Sequence, residues 1–591
     1  MLLKKQLNFN IMLKNIFGKN GEKTPENTTT ISLQIEGMTC SGCSSHIEKD
    51  LSKIEGIVSC VVNHETGKGE FTFDIDKLNK PAVIDAVNKV GSYKVVNEAE
   101  KEDCCATDSE TTESQNIVND KGDNDYDLII IGGGSAAFSA MTTANGLGLS
   151  VMLINGGLDI GGTCVNVGCV PSKHLIRAAE SIHSASHSPF SGITPVAPKI
   201  DYGQIIRDKK DLVFAMREKK YLKVAESVEN VNIVEGWANF VNNKTIEVNG
   251  VTYTASKFLI STGSTTNIPK IEGLQEVGFL TNVSLFDLEE KPESLTILGA
   301  GYIGLEMAQA FSRFGVKVRI LEFTDRVLRT QTEDVSEELQ KQFASEGIEV
   351  LPNVRIQKVE KQGGDVLIHA KDPHGNPIEI IEKGHLVVAT GTKPNTFKMN
   401  IETTGVEITE KGHIKVNSKQ ETNVANIYAA GDCTDTPAFV YTAAVEGKNA
   451  VLNAFNGENN KADYSALPWV VFTDPQIAGV GLDEKEAKAQ GIPFESTSLP
   501  VSEIPRAAAA LDTRGFVKLI RNTDNDKIIG ARVVAPEGGE LIMEAALAVK
   551  YGITATELAE TFHPYLTMGE GMKIAAITFT KNVAELSCCA T

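Results

Sequence analysis

The sequence predicts an α/β protein in which two doubly wound nucleotide-binding domains are followed by an α+β domain and preceded by a small βαββαβ domain. Three observations carry that expectation. An apolar run at 127–131 feeds directly into Gly132, Gly133 and Gly134, and a second at 295–298 feeds into Gly299, Ala300 and Gly301. Strand followed at once by a glycine turn and a helix is how a backbone approaches a dinucleotide. The chain is also 591 residues long, too long for one core, and at about 150 residues per domain it holds about four units.

Composition narrows the function classes. The formal net charge is -20, with 41% hydrophobic and 23% charged residues, so the chain as a whole repels phosphate backbones and anionic lipid. No apolar run reaches the roughly 20 residues of a membrane span, and a small substrate is expected rather than a nucleic acid or membrane. The tail 1–29 mixes Lys4, Lys5 and Asn into its apolar residues, a poor export signal, which points to the cytoplasm. Eight of the ten cysteines form close pairs: Cys40 with Cys43, Cys104 with Cys105, Cys164 with Cys169, and Cys588 with Cys589. In a compartment that keeps thiols reduced, such pairs bind metals or do redox chemistry.

In chain order, residues 30–97 alternate strand 31–36, helix 44–53, two strands, helix 80–89 and a closing strand, a ferredoxin-like pattern. Residues 98–124 are Glu, Asp, Thr, Ser and Asn with few large apolar side chains, a tether that cannot fold alone. Its Cys104-Cys105-Ala106-Thr107 is repeated by the last four residues, Cys588-Cys589-Ala590-Thr591. The first Rossmann-like domain is expected at 125–292 and again at 393–462, the second at 293–392, and alternating strands and amphipathic helices make 463–591 an α+β domain.

The first turn reads Gly132-Gly-Gly134-Ser-Ala136-Ala137 before an apolar helix at 136–147. Its small residues let backbone amides meet a pyrophosphate at the positive end of that helix. The acidic residue expected after strand 151–154, to hold the adenosine ribose, is replaced by Asn155. A sharper signal is Gly161-Gly-Thr163-Cys164-Val-Asn-Val-Gly-Cys169-Val-Pro-Ser-Lys173. Two thiols at a helix start form a disulfide readily, and the helix terminus and a cation lower their pKa values.

That run, with Gly299-Ala-Gly301-Tyr302-Ile-Gly304-Leu-Glu306 and Ala430-Gly431-Asp432, resembles the pyridine nucleotide-disulfide oxidoreductase family from about residue 126 to the end. The resemblance implies bound FAD, a homodimer with shared active sites, Cys169 as the thiolate touching the flavin and Cys164 as the interchange thiol. It implies further that Lys173 pairs with Glu306 and that Asp432 holds the ribityl chain. Thr163, Ala238, Gly263, Gly431 and Val440 would line the same cofactor, and Tyr302 would gate the nicotinamide. Glu322, after strand 318–321, favours the 2'-hydroxyl of NADH, whereas Arg326 and Arg329 favour NADPH, so both stay open.

Disulfide reductases of that family acting on lipoamide or glutathione carry His-Pro-Thr followed shortly by a Glu. Here the segment is His563-Pro564-Tyr565-Leu-Thr-Met568, with Tyr565 for the Thr and Met568 for the Glu. His563 is a relic, a proton donor to a departing thiolate, or a packed ring. Adjacent cysteines make a strained disulfide but a good soft-metal ligand, and Gly37-Met-Thr-Cys40-Ser-Gly-Cys43 resembles the loop of heavy-metal-associated domains. Together these features are similar to the mercuric reductases. They imply Hg(II), delivered as thiol complexes, as the substrate, with Cys40, Cys43, Cys588, Cys589, Cys164 and Cys169 as successive ligands. A lipoamide- or glutathione-type disulfide reductase and a copper-trafficking protein are the rivals.

Overall fold

Alternation of apolar and polar residues over 28–36 gives a strand with one face for a core. In the computed structural model that strand is β1 (Thr28–Glu36), one of four in an antiparallel sheet. Residues 28–36, 44, 47–48, 51–54, 56–63, 67–75, 77–90, 94–96 and 124–587 are described. Contacts divide the chain between Gln115 and Asn116 into two units.

In the first unit β2 (Ile57–Asn63), β3 (Lys68–Asp74) and β4 (Lys94–Val96) join β1 in the order β2-β3-β1-β4. One helix, α1 (Lys80–Lys89), is capped by the Asn79 side chain, which accepts from Ala82 N at 2.9 Å. Ser44, Ile47, Glu48 and Leu51 are helical, and Ile47 and Leu51, one turn apart, are fully buried. They meet Leu33, Ile35, Phe71, Phe73, Val83 and Val87 in the core. Strand order and helices match the ferredoxin-like expectation. Cys40, Cys43, Cys104 and Cys105 lie outside the described residues.

The second unit opens on β5 (Tyr126–Ile131), whose residues from Asp127 onward are all buried, as a strand covered on both faces must be. Its sheet runs β7-β6-β5-β10-β9-β8, where β6 is Val151–Asn155, β7 Val231–Glu235, β8 Asn239–Asn242, β9 Thr245–Val248 and β10 Val251–Ile260. The neighbours β7, β6, β5 and β10 are parallel, and Ile427–Ala429 adds a further parallel strand to β10. Gly132, at φ +128°, ends β5 where a Cβ would lie 2.2 Å from the Ser261 carbonyl oxygen, so only glycine fits. Helix α2 (Ser135–Gly146) starts there and packs on α6 (Val440–Phe455) so closely that a Cβ on Gly447 would sit 2.1 Å from Ala136 O.

Two helices follow β6: the short α3 (Gly162–Asn166) and the long α4 (Cys169–Ser186). The second nucleotide-type sheet centres on β11 (Ser294–Leu298), flanked by His385–Val388 and β12 (Lys317–Leu321), with Glu349–Leu351 beyond, all parallel. Between β11 and β12 runs α5 (Tyr302–Arg313). The chain then returns to the first sheet and to α6. The last domain is a five-stranded antiparallel sheet backed by α7 (Gly538–Tyr551) and Glu570–Ile577. Its inner face buries Val517, Leu519, Val533, Ile542 and Ala545, while Met543, Leu547, Tyr551 and Phe562 stay exposed on its outer side. Among the described residues no helix is long and apolar enough to cross a membrane.

Candidate redox site

The glycines at the start of α3 fix where the first thiol stands. Gly161 and Gly162 have φ of +105° and +63°, and a Cβ on Gly162 would come within 2.7 Å of Gly134 Cα. The dithiol loop is therefore pressed directly onto the first glycine turn. Asn166 Nδ2 donates to Asp159 O at 2.8 Å and Gly162 O at 2.9 Å, Arg217 pairs with Asp159, and Asn282 Nδ2 reaches Val167 O at 2.9 Å. The loop is held from three directions.

Cys169 is the first residue of the 18-residue α4, at its positive end. A hydrogen bond from the Cys164 thiol, then the Lys173 ammonium, bring the Cys169 thiol down to about 7. The hydrogen bond to Cys169 and burial push Cys164 well above the ordinary thiol range. The sequence expectation that both thiols fall is thus corrected: with two close sulfurs, the proton kept by one stabilises the thiolate of the other. Lys173 Nζ stands 2.8 Å from Glu306 Oε2 and 4.2 Å from the centre of the Phe472 ring. The other carboxylate oxygen of Glu306 accepts from Phe472 N at 3.0 Å, so the pair ties α4 and α5 to the last domain.

Tyr302, at the start of α5, stacks on Trp469 with ring centres 5.8 Å apart, and burial raises its phenol. Gly304 permits this placement, since a Cβ there would meet Gly299 O at 2.3 Å. Asp432 accepts from Ser264 Oγ at 2.9 Å and is raised by burial. Gly263 keeps open space where a Cβ would stand, at φ +67°. Thr163 lies on α3, Ala137 and Ala238 are buried, and Val440 begins α6. Gly134 caps α2 without a side-chain hydrogen bond and has no heavy atom nearer than 3.8 Å to a Cβ built on it. Uncapped helix amides, glycine clearance and the Asp432 carboxylate fit a dinucleotide such as FAD.

Several residues escaped the sequence reading. Glu235, at the end of β7, lies opposite Asn155 in the sheet, and Asn155 Nδ2 donates to its two carboxylate oxygens at 3.2 and 3.1 Å. A carboxylate thus stands one strand away from position 155, in hydrogen-bond contact with the Asn155 side chain. Glu446, fully buried on α6, accepts from Gly431 N at 2.6 Å and from the Tyr464 hydroxyl at 2.7 Å, holding the turn that carries Asp432. Tyr221, raised by burial and hydrogen-bonded to Ser135, shares with Cys164 a cavity of about 430 Å³. Tyr441 is pushed up to about 12 by burial and then by the neighbouring Tyr302 and Cys169. No sequence motif marks any of them, because each acts through a contact between distant segments.

His563 does have a carboxylate partner, contrary to what Met568 suggested. Its Nε2 is 2.6 Å from Glu544 Oε1 on α7, and its Nδ1 is 3.0 Å from Thr561 O. Tyr565 is 52% exposed beside it, open toward the surface. Cys588 and Cys589 lie outside the described residues.

Comparison with known proteins follows the same division. Residues 126–447 match the family profile described as Pyridine nucleotide-disulphide oxidoreductase, residues 467–576 its dimerisation domain, and residues 32–94 the Heavy-metal-associated domain. The mercuric reductase of Bacillus cereus is 40% identical over 561 residues, covering 94% of this chain and 86% of that one. That of Shewanella putrefaciens is 38% identical over 571 residues, 95% of this chain and 100% of its own. Among solved structures, the Cu(II) complex of the HOCl-induced flavoprotein disulfide reductase RclA from Escherichia coli has a TM-score of 0.70 at 27% identity, covering 78% of this chain and 100% of that one. LpdA from Mycobacterium tuberculosis gives 0.68 at 28%, covering 77% and 100%. With more than half its length matched by one profile and nearly all of it aligned to these relatives, the chain belongs to the pyridine nucleotide-disulphide oxidoreductase family, where it groups with the mercuric reductases.

Proposed function

We propose that this protein reduces Hg(II) to elemental mercury at Cys164 and Cys169, using NADPH or NADH, and works as a cytoplasmic homodimer. FAD, when bound, supplies the two-electron relay from nicotinamide to the sulfur side. The chain's own residues do the rest. Cys169, held as a thiolate near neutral pH, offers Hg(II) its first soft ligand. As the sulfur of Cys164 binds, its proton passes to a departing small thiolate, both carrier thiolates leave, and the digonal preference of Hg(II) is met by the two protein thiolates. Lys173, fixed by Glu306, keeps positive charge beside the thiolate. Tyr302 covers the nicotinamide side and moves aside for it.

Cys588 and Cys589 of one subunit are proposed to pass the ion to Cys164 and Cys169 of its partner, bordered by Tyr565, after collection by Cys40 and Cys43. The exposed Met543, Leu547, Tyr551 and Phe562 supply the apolar face such a dimer needs. The observation carrying the reading is the Cys164–Cys169 dithiol at the positive end of α4, with the 2.8 Å Lys173–Glu306 pair one turn on, in a chain similar over nearly its whole length to mercuric reductases.

The His563–Glu544 contact favours a second reading, a lipoamide- or glutathione-type disulfide reductase. Against it, both ring nitrogens already face oxygens of this chain. NAD(P)H oxidation with HgCl2 and excess thiol, beside the same assay with oxidised lipoamide or glutathione, separates the two. Oxidation driven by mercury is expected, and abolished in Cys169→Ala. Faster oxidation with a small disulfide would support the second reading.

A further inference from the structure

The helix Tyr202–Arg217 runs on through a π-turn, Glu218–Leu222, into Lys223–Glu226. Lys223 N closes that turn by donating to Glu218 O, five residues back, where an ordinary helical bond reaches back four. The wider turn changes which side chains share a face. Met216, Lys220 and Val224 recur at every fourth position, Tyr221 follows Met216 by five, and all of them border the cavity of about 430 Å³ that reaches Cys164. Phe138, Val165 and Val170 close the cavity with apolar surface, and among the described residues Lys220 is the one charged side chain of its lining.

Lys220 is exposed, so it stands where the cavity opens to water. The other charges on this stretch are matched or lie elsewhere. Arg217 pairs with Asp159, and Lys223 with Glu218 at 3.7 Å. Glu226 stands beyond Val224, outside the lining, and Lys173, on the α4 side of the thiols, is held by Glu306 at 2.8 Å. Lys219 and Lys220 have no ion pair or hydrogen bond among the described residues. In a chain of net charge -20, the opening onto Cys164 therefore carries an uncommitted ammonium.

Resting on the reading that Cys164 and Cys169 take Hg(II), we propose that this cavity is a direct entry for the ion bound to small carboxylate-bearing thiols, and that Lys220 selects these anionic carriers over neutral or cationic ones. The route stands beside the relay through the terminal pair. A volume of this size is that of a small-ligand site. Its apolar wall takes the methylene of the carrier, and the ammonium at the opening faces the carboxylate. Capture is ligand exchange without redox change. Each Hg–S bond formed to Cys169 or Cys164 replaces one to a carrier; the first carrier leaves as thiolate and the second leaves with the Cys164 proton.

The test is capture itself, without nicotinamide, on FAD-loaded full-length protein carrying Cys588→Ala and Cys589→Ala, so that the terminal pair takes no part. The protein is reduced, desalted and mixed rapidly with excess Hg(II) complex of mercaptoacetate, mercaptoethanol or cysteamine, which match in length and differ in charge. Excess iodoacetamide stops the reaction, and Cys164 and Cys169 peptides that escape alkylation are counted by mass spectrometry. Lys220→Gln, checked by an unchanged flavin spectrum, is expected to slow capture from the mercaptoacetate complex about fivefold, the effect of one charge pair about 4 Å apart in water. It should leave the mercaptoethanol complex unchanged and speed the cysteamine complex. Lys220→Arg should restore the natural rates, and Lys219→Gln, one residue away and outside the lining, should alter none of them. Equal slowing of all three complexes by Lys220→Gln, an unchanged mercaptoacetate rate, or the same shifts in Lys219→Gln overturns the proposal. Charge-selective capture in a protein that releases no mercury vapour would sink only the proposed function, and mercury release without charge selection would sink only this inference.

Discussion

At the scale of single residues, the hydrogen bond from Cys164 lowers the Cys169 thiol, and the same bond, with burial, raises Cys164. Because the Cys169 thiol lies lowered to about 7, its thiolate is present above that pH and lost as pH falls through it. Alkylation of the reduced protein with iodoacetamide, followed on the Cys169 peptide by mass spectrometry, should therefore rise with a midpoint near 7, while the Cys164 peptide reacts only at much higher pH. Lys173→Met should move the Cys169 midpoint upward, since a favourable charge is removed. A midpoint unmoved by that change would leave the ammonium without its assigned part. Glu235 offers a second residue-scale prediction. If it supplies the ribose carboxylate that Asn155 lacks, Glu235→Gln should weaken FAD retention by about tenfold, the worth of a hydrogen bond to a charged group, with the fold intact by circular dichroism.

Secondary-structure elements place these residues, and their joints are tight. A Cβ at 304 would lie 2.3 Å from Gly299 O, so Gly304→Ala must push α5 away from its turn, at a cost of about 1–3 kcal/mol for overpacking. Nucleotide binding at the second turn should fall while FAD is retained, which titration with NAD+ and the visible flavin spectrum together would check. Glu446→Ala should strip Gly431 N and the Tyr464 hydroxyl of their acceptor and cost about 1–3 kcal/mol, read as a lower melting temperature and as loss of FAD. These elements also show what was legible in the sequence. β5 and β11 declared themselves because a fully buried parallel strand leaves an uninterrupted apolar run, and the glycines after them mark where backbone must come close. The Lys173–Glu306 pair was reached through the family's motifs and stands at 2.8 Å. Glu235, Glu446, Tyr221 and Glu544 stayed hidden, since a side chain that serves a strand or helix far along the chain leaves no local period or spacing to find.

For the whole molecule, the proposed division of labour gives the flavoprotein unit the chemistry and the outlying thiol pairs the supply of ion. Removing residues 1–97 should leave reduction of small-thiol complexes of Hg(II) largely intact, while Cys588→Ala with Cys589→Ala should slow it, as steady-state rates against the full chain would show. Unchanged turnover without the terminal pair would mean that the ion reaches Cys164 and Cys169 unaided. The most direct measurement is of the product itself: purified, FAD-loaded protein given NADH or NADPH and Hg(II) in excess thiol, with elemental mercury vapour collected and compared with reductant consumed. One mercury atom released per nicotinamide oxidised is the predicted result. Steady consumption of reductant on small disulfides, with no vapour from the ion, would contradict the account at its centre.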